Sequence, residues 1–435
     1  MPRSASPGST VSGEPGPAAP RDRVAGAAPV TGPAPLRLGV VGAGGFATFL
    51  TGALRDLPEV TVTVVADPDT DRAARLSGIL AARPVPDWRA LVTADDVDVV
   101  VVATPPAGHA ETTLAALRAG RHVFCEKPLA ITADEAVAIR DAVAATGRVL
   151  VVDHVLRYNP VLRALARLRD RRFAVPPGSD PLLGPVRRLA FENDASDEDL
   201  GPEHWFWDER VSGGIFVEHG VHFFDAADAL VGATPESVQG ILGHRTGADL
   251  VDLAVATTRY PDGAVATFAH GFSHAHRCER QLMRIDFGTA EARVTGWIPV
   301  HATLDLWTDD AGAALVEHLP ARAADLLAVE GHRLRDAAVT VTVHRHAGPA
   351  DARERGRPRQ LPHHCRITLD LGGEAAKPYV YAESVRAAMH DLVRCVRTGD
   401  RPAAGVTEGA TAVTVAAAAA RSAREGRTVH LGRSA

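Results

Sequence analysis

Beyond residue 35 the apolar positions fall into two alternating rhythms. Residues 36–41, 60–66, 97–103, 122–125 and 149–152 are short, nearly continuous apolar runs ending in turn-forming residues. Between several of them the apolar residues recur at helical spacing, through Leu54, over about 108–119 and over about 132–146. Runs apolar on both faces belong to strands covered from both sides. Their alternation with helices predicts a doubly wound parallel sheet of five or six strands.

The rhythm changes in the second half. Runs 252–260 and 264–271 flank Pro261-Asp262-Gly263, and runs 281–287 and 292–297 flank Gly288-Thr289. Both read as hairpins. Further strands are expected at 339–343, 366–371 and 428–431, with closing helices at 381–397 and 407–424. Residues 347–362 are polar, Arg-rich and unpatterned, which predicts a mobile loop. The first 35 residues hold eight Pro and five Gly and no aromatic residue, so they cannot bury enough apolar surface to order themselves. They also lack the apolar core of a signal peptide. The expected organisation is a disordered tail (1–35), a Rossmann domain (36–157) and an α+β domain (158–435).

Composition narrows the class. The 435 residues are 46% hydrophobic and 23% charged, as in an ordinary globular protein. A net charge of −6 argues against a nucleic-acid partner. Four scattered cysteines without a CxxC pair suit a reducing cytoplasm. The apolar stretches are too short for a membrane span. Arginine outnumbers lysine 45 to two, and asparagine occurs only at Asn159 and Asn193. Where so biased a chain keeps Lys127 and Lys377, local chemistry is a candidate reason.

The first strand runs into Gly42-Ala43-Gly44-Gly45-Phe46-Ala47, a G-x-G-x-x-A pattern, and the second ends at Asp67. In this strand–turn–helix setting the motif predicts dinucleotide binding. Gly42 makes the tight turn, Gly44 admits the pyrophosphate, and the following helix offers free N–H groups. Asp67 would accept from the adenosine ribose hydroxyls and repel a 2′-phosphate, favouring NAD over NADP. Gly42, Asp67, Thr104, Glu126 and Asp153 all fall at carboxyl ends of strands, where such sheets bind ligands.

Lys127 stands on that edge. Unlike arginine, a desolvated lysine can exchange a proton, as alcohol–carbonyl interconversion requires. Glu126 could orient it or bind a ribose, and Pro128 fixes the bend, cis or trans. Further on, Glu218, His222 and Asp225 share one helical face by spacing. Imidazole suits proton transfer near neutral pH, and a carboxylate one turn away can set its tautomer. A metal reading of Glu218, His219, His222 and Asp225 fits neither HExxH nor HxxEH. Trp205 and its aromatic neighbours would wall a substrate pocket or simply pack. Asn159 would either read substrate hydroxyls or cap the next helix. Arg157 stands beside it, where the chain crosses between domains.

Taken together, the glycine motif, Ala103-Thr104-Pro105-Pro106 with His109, Glu126-Lys127-Pro128, Arg157-Tyr158-Asn159-Pro160 and the segment Gly213 to Asp225 resemble the Gfo/Idh/MocA family of NAD(P)-dependent oxidoreductases. The resemblance spans about residues 36–432. It implies a Rossmann domain followed by an α+β domain with an open, mainly antiparallel sheet, often used for homo-oligomerisation. It implies Lys127 as catalytic lysine, His222 as acid/base, and Glu218 where many dehydrogenases carry aspartate. Gly42, Gly44, Gly45, Phe46, Asp67, Thr104, Pro105, His109 and Glu126 then become the cofactor contacts. Arg157, Asn159, Trp205 and Asp225 become candidate contacts to a small polyhydroxylated substrate. The expected activity is hydride transfer between NAD and a secondary alcohol or ketone carbon of a sugar, polyol or cyclitol. The alternatives are an NAD-dependent glycosidase without net redox and a non-catalytic NAD-binding sensor.

Overall fold

The computed structural model describes residues 34–173, 181–196, 200–244, 250–345, 351–354 and 357–432. The expected tail, apart from its last two residues, lies outside them.

The first sheet is built from β1 (Leu36–Val41), β2 (Val60–Ala66), β3 (Arg83–Val85), β4 (Val99–Val102), β5 (His122–Cys125) and β6 (Leu150–Val152). Its order is β3-β2-β1-β4-β5-β6 with every neighbouring pair parallel. This is the doubly wound dinucleotide-binding order. The connecting helices are α1 (Gly45–Leu54), α2 (Thr70–Leu80), α3 (Trp88–Val92), α4 (His109–Arg118) and α5 (Ala133–Thr146). All four valines of β4 are fully buried, because helices cover both faces. Thr132 and Glu135 close a capping box that fixes the start of α5, at the residue the sequence marks.

After β6 a short 3-10 turn leads to α6 (Pro160–Leu168). Asn159 caps this helix. Its Oδ1 accepts from the N–H groups of Val161 (3.0 Å) and Leu162 (3.4 Å), while Nδ2 donates to the Pro299 carbonyl at 2.8 Å. The second sheet draws on β7 (Arg188–Ser196), β8 (Ser237–His244), β9 (Val251–Arg259), β10 (Val265–His274), β11 (Arg280–Asp286), β12 (Ala290–Thr295), β13 (His301–Thr308), β14 (Ala338–His344), β17 (His363–Asp370) and β18 (Val429–His430). Its order is β14-β17-β13-β12-β11-β7-β10-β9-β8-β18, antiparallel at every junction except β7–β10. The expected loop at 347–362 instead contains, in its described part, a hairpin of β15 (Asp351–Glu354) and β16 (Arg357–Gln360). Local pairing there overrides the lack of an alternating pattern. Residues 347–350 and 355–356 lie outside the described residues.

The helices of this half are α7 (Glu209–Ser212), α8 (Val221–Val231), α9 (Asp310–His318), α10 (Ala323–Leu327), α11 (Lys377–Thr398) and α12 (Val406–Glu425). Helix α12 lies across β8 at Gly240, where a Cβ would come within 2.1 Å of the Ala419 carbonyl oxygen. The two closing helices also return to the first sheet. Helix α11 packs on α1 and α12 on α5, and the Ala404 carbonyl accepts from Val152 at the end of β6 (2.8 Å). Among the described residues no helix is long and apolar enough to cross a membrane.

The fully buried Asn159 generates a direct expectation. Asn159→Ala should cost about 1–2 kcal/mol of stability through the lost cap. The denaturant midpoint should fall, whereas an asparagine that only reads substrate hydroxyls would leave it unchanged when replaced.

Candidate active site

The turn from β1 into α1 is shaped by backbone crowding. Gly42 has φ +102°, and a Cβ there would lie 2.3 Å from the Ala103 carbonyl oxygen at the end of β4. No other residue fits both constraints. Gly44 and Gly45 differ: a Cβ on either would meet nothing within 4 Å. That open space faces the N-terminus of α1, whose first N–H groups carry no side-chain cap. Asp67 holds this loop down. Its Oδ2 accepts from the Ala43 N–H and its Oδ1 from the Asp69 N–H, each at 2.8 Å. A carboxylate has lone pairs beyond these two bonds, so the ribose contact remains open to it.

These residues form one end of a cavity of about 1040 Å³. Along its floor lie Gly42, Gly44, Gly45, Phe46, Asp67, Thr104, Pro105, Glu126 and Lys127, and its far wall contains Trp205, Glu218 and His222. The cradle at Gly44 and Gly45 and the uncapped helix end fit the pyrophosphate of a dinucleotide. His109 is the exception among the expected cofactor contacts. It is buried and does not line the cavity. Its Nδ1 lies 2.6 Å from the Pro128 carbonyl and its Nε2 2.8 Å from the Thr104 carbonyl. Burial pushes its pKa down, so the ring is neutral and donates to one carbonyl at a time. Its work is to tie the Thr104 loop to the Lys127–Pro128 bend, a cis peptide bond.

Lys127 Nζ donates to Glu218 Oε1 at 2.6 Å and to the Glu218 backbone carbonyl at 3.0 Å. Lys127 is thus one half of a largely buried ion pair. Nor does Glu218 serve His222 as helical spacing predicts. Residues Phe216–Gly220 form a turn of π-helix before α8. The wider turn breaks the 3.6-residue register, and the Glu218 carboxylate goes to Lys127 instead of orienting the imidazole.

His222 is buried at the cavity wall, 6.1 Å between ring centroids from Trp297 and 6.4 Å from His154. Its Nδ1 is sealed and without a hydrogen-bond partner, which leaves Nε2 as the nitrogen for the cavity. Burial first, then the Lys127 charge, holds its pKa well below the ordinary imidazole value. Neighbouring His219 is pushed down to about 3 by the same causes. Both rings are neutral near pH 7, so His222 is free to accept a proton.

Three expected substrate contacts are used elsewhere. Arg157 Nε lies 2.8 Å from both carboxylate oxygens of buried Asp225, and its guanidinium also reaches the Ala403 carbonyl at 3.2 Å. This pair locks the turn after β6 to α8 and does not line the cavity. Asp225 is buried against Arg157 and does not line the cavity. Asn159 is the cap already described. Trp205, exposed by 39%, does line the cavity.

The cavity also recruits residues that sequence reasoning left out: Asn193 on β7, Phe272 on β10, Gln281 on β11, Trp297 after β12, and Lys377 and Tyr381 on α11. The rarity of Lys377 and Asn193 was a usable signal, but strand and helix periodicity could not bring them to one place. Lys377 Nζ stands 5.9 Å from the Trp297 ring centroid.

Comparisons with known proteins place relatives beside this fold. The oxidoreductase-family NAD-binding Rossmann-fold model of GFO/IDH/MocA matches residues 36–154, and the C-terminal domain model of the same family matches residues 182–293. The dTDP-3,4-didehydro-2,6-dideoxy-alpha-D-glucose 3-reductase of Actinomadura kijaniata is 31% identical over 245 residues, covering 56% of this chain and 70% of the relative. Inositol 2-dehydrogenase 3 of Saccharopolyspora erythraea is 36% identical over 137 residues, or 31% of this chain and 40% of the relative. Among solved structures, a levoglucosan dehydrogenase in complex with NADH and levoglucosan superposes with a TM-score of 0.68. It is 19% identical and covers 92% of this chain and 100% of that one, a likeness of fold.

Two glycine substitutions separate the roles of the loop. Gly42→Ala should destabilise the protein by at least about 1–2 kcal/mol, from the positive φ alone. Gly44→Val should cost no more than about 1 kcal/mol, since it only weakens a helix cap. It should nevertheless abolish dinucleotide binding, read by the quenching of intrinsic fluorescence, because its side chain fills the cradle.

Proposed function

This chain belongs to the Gfo/Idh/MocA family of oxidoreductases, and on that premise we propose that it is an NAD-dependent dehydrogenase or reductase of a sugar, polyol or cyclitol. The observation that carries the reading is the meeting of two elements in one cavity. Neutral His222 offers Nε2 to that space, and the Lys127–Glu218 pair closes the same wall. A bound nicotinamide supplies the hydride acceptor or donor. The protein supplies everything done to the hydroxyl. His222 accepts its proton in the oxidation direction and returns it in reduction. Lys127, held charged-side-forward by Glu218, donates to the same oxygen as negative charge builds on it. Its pairing with Glu218 aligns it as a hydrogen-bond donor.

Asp67 supports NAD over NADP. Its carboxylate is fixed by two N–H groups at the adenosine end, where it would repel a 2′-phosphate, and Arg72 nearby is paired with Asp69 at 3.0 Å. The substrate class rests on the wall chemistry, in which Trp205 and Trp297 offer flat faces to C–H groups while Asn193 and Gln281 offer amides to hydroxyls. The relatives named for an inositol and a dTDP-sugar support the same class. Localisation in the cytoplasm and self-association through the open sheet belong to the same proposal.

The test is a panel of sugars, polyols and cyclitols scored for reduced nicotinamide and, separately, for glycoside cleavage without net reduction. His222→Ala should lower kcat by roughly 10²–10⁴-fold at unchanged dinucleotide Kd, as for loss of a general base. A variant within a few-fold of wild type rules out that role. The pH profile gives a second check. Because the folded His222 titrates well below 6.5, kcat/KM for oxidation should hold level as pH falls through 6.5 and drop only in more acid solution.

A further inference from the structure

Two carboxyl groups lie beneath the Lys127 bend without a task in the scheme above. Strands β5 and β6 are parallel neighbours with Cys125 paired to Val152. Glu126 and Asp153 are the next residues, so the register places them side by side. Backbone bonds fix both: Glu126 N–H donates to the Val102 carbonyl at 2.9 Å, and Asp153 N–H to the Cys125 carbonyl at 2.8 Å. The side chains are 6% and 1% exposed. Glu126 Oε1 and both Asp153 oxygens are sealed from solvent and receive no donor from the rest of the protein. Neighbours by register and both cut off from solvent, the two carboxyl groups act on each other's charge. Such a pair needs one proton between two acids, because two buried neighbouring carboxylates repel.

The surroundings favour a retained proton. Burial raises both acids, Glu126 well above its ordinary value and Asp153 to about 6. Lys127 is the cation that opposes this. The other titratable neighbours are Cys125 on β5, His154 after β6, Tyr158 on the following turn and Tyr381 on α11. None of these four brings a positive charge, since His154 is held neutral by burial. Yet Glu126 lines the dinucleotide cavity beside Lys127, next to where hydride must move. An oxidised nicotinamide ring is a cation and a reduced one is neutral.

We propose that the buried Glu126–Asp153 pair holds one proton and exchanges it against the charge of the nicotinamide ring, releasing it when oxidised dinucleotide binds and regaining one when the ring is reduced. The inference rests on the cofactor reading above. The chemistry balances. Oxidation of the alcohol breaks one C–H and one O–H bond; the hydride and its electron pair pass to the ring, the hydroxyl proton passes to His222, and the pair takes up one proton as His222 gives its own up. The ring's positive charge disappears in the same event, so the pair becomes a better acceptor at the moment a proton must be stored. Reduction of a ketone runs the same exchange backwards. The site thereby keeps its net charge nearly constant through hydride transfer, in a space where unbalanced charge is costly.

The test needs no turnover. Calorimetric titration of the full chain with NAD⁺ and with NADH, in two buffers of different ionisation enthalpy near pH 7, counts protons exchanged on binding; NADP⁺ and NADPH are run in parallel. The oxidised form should expel roughly half a proton or more per site, and the reduced form close to none. The difference should shrink in Glu126→Gln and in Asp153→Asn and vanish in the double variant. Equal proton counts for both redox forms in the wild-type protein overturn the proposal, as does a difference undiminished in the double variant. Binding with the expected difference but no activity on the panel sinks only the proposed function. If no dinucleotide binds, the cofactor reading and this inference fall together.

Discussion

The ion pair between Lys127 and Glu218 is the constraint on which the site depends. One partner ends a strand of the parallel sheet and the other sits in the π turn before α8, ninety-one residues on. Both side chains are mostly buried, so removing either leaves a charge without a partner, at about 3–5 kcal/mol. That cost holds the two halves of the cavity wall in register. It also dictates what His222 can be. With the Glu218 carboxylate committed to lysine, the imidazole remains unpaired at Nδ1, desolvated and neutral. A free carboxylate one turn away would instead have stabilised the imidazolium and raised the pKa of the ring.

Around this pair lies a set of side chains whose role is to hold loops rather than ligands. His109 joins the Thr104 loop to the Pro128 bend, and Arg157 with Asp225 fixes α8 to the crossover after β6. Each is a chemically capable residue type near a cavity. In each case both polar ends are already engaged by backbone or by a buried partner. Proximity in sequence to a motif is therefore a poor guide to contact with ligand when the backbone nearby has unsatisfied groups of its own.

The parallel sheet was legible because buried strands write continuous apolar runs, and β1, β2 and β5 have the limits those runs suggest. The short β3, with its central proline, writes no such run. Strands β7, β8 and β13 went unread because they mix Gly, His, Asp and Thr with apolar residues, as strands exposed on one face do. At the site, Lys127, His222 and the glycine loop could be found from spacing and rarity. The partner of Lys127 could not, because the π turn shifts register by an amount no periodicity reports. The composition filter did better than its local use. Lys127, Lys377 and Asn193 line one cavity, and only Asn159 serves as a cap.

The return of α11 and α12 to the first sheet has a consequence in time. Strand β6 leaves the ribosome long before the helices that cover it, so the nucleotide-binding half cannot complete its outer layer until the chain's end is made. Until then Val152 lacks the acceptor at Ala404, and the groove that Gly409 fills between Val152 and Leu129 stands open. An uncovered parallel edge is a surface that invites wrong pairing. Vectorial synthesis thus makes the last helices the gatekeepers of the first domain's maturation, and a truncation far from the cofactor would be felt at its binding site.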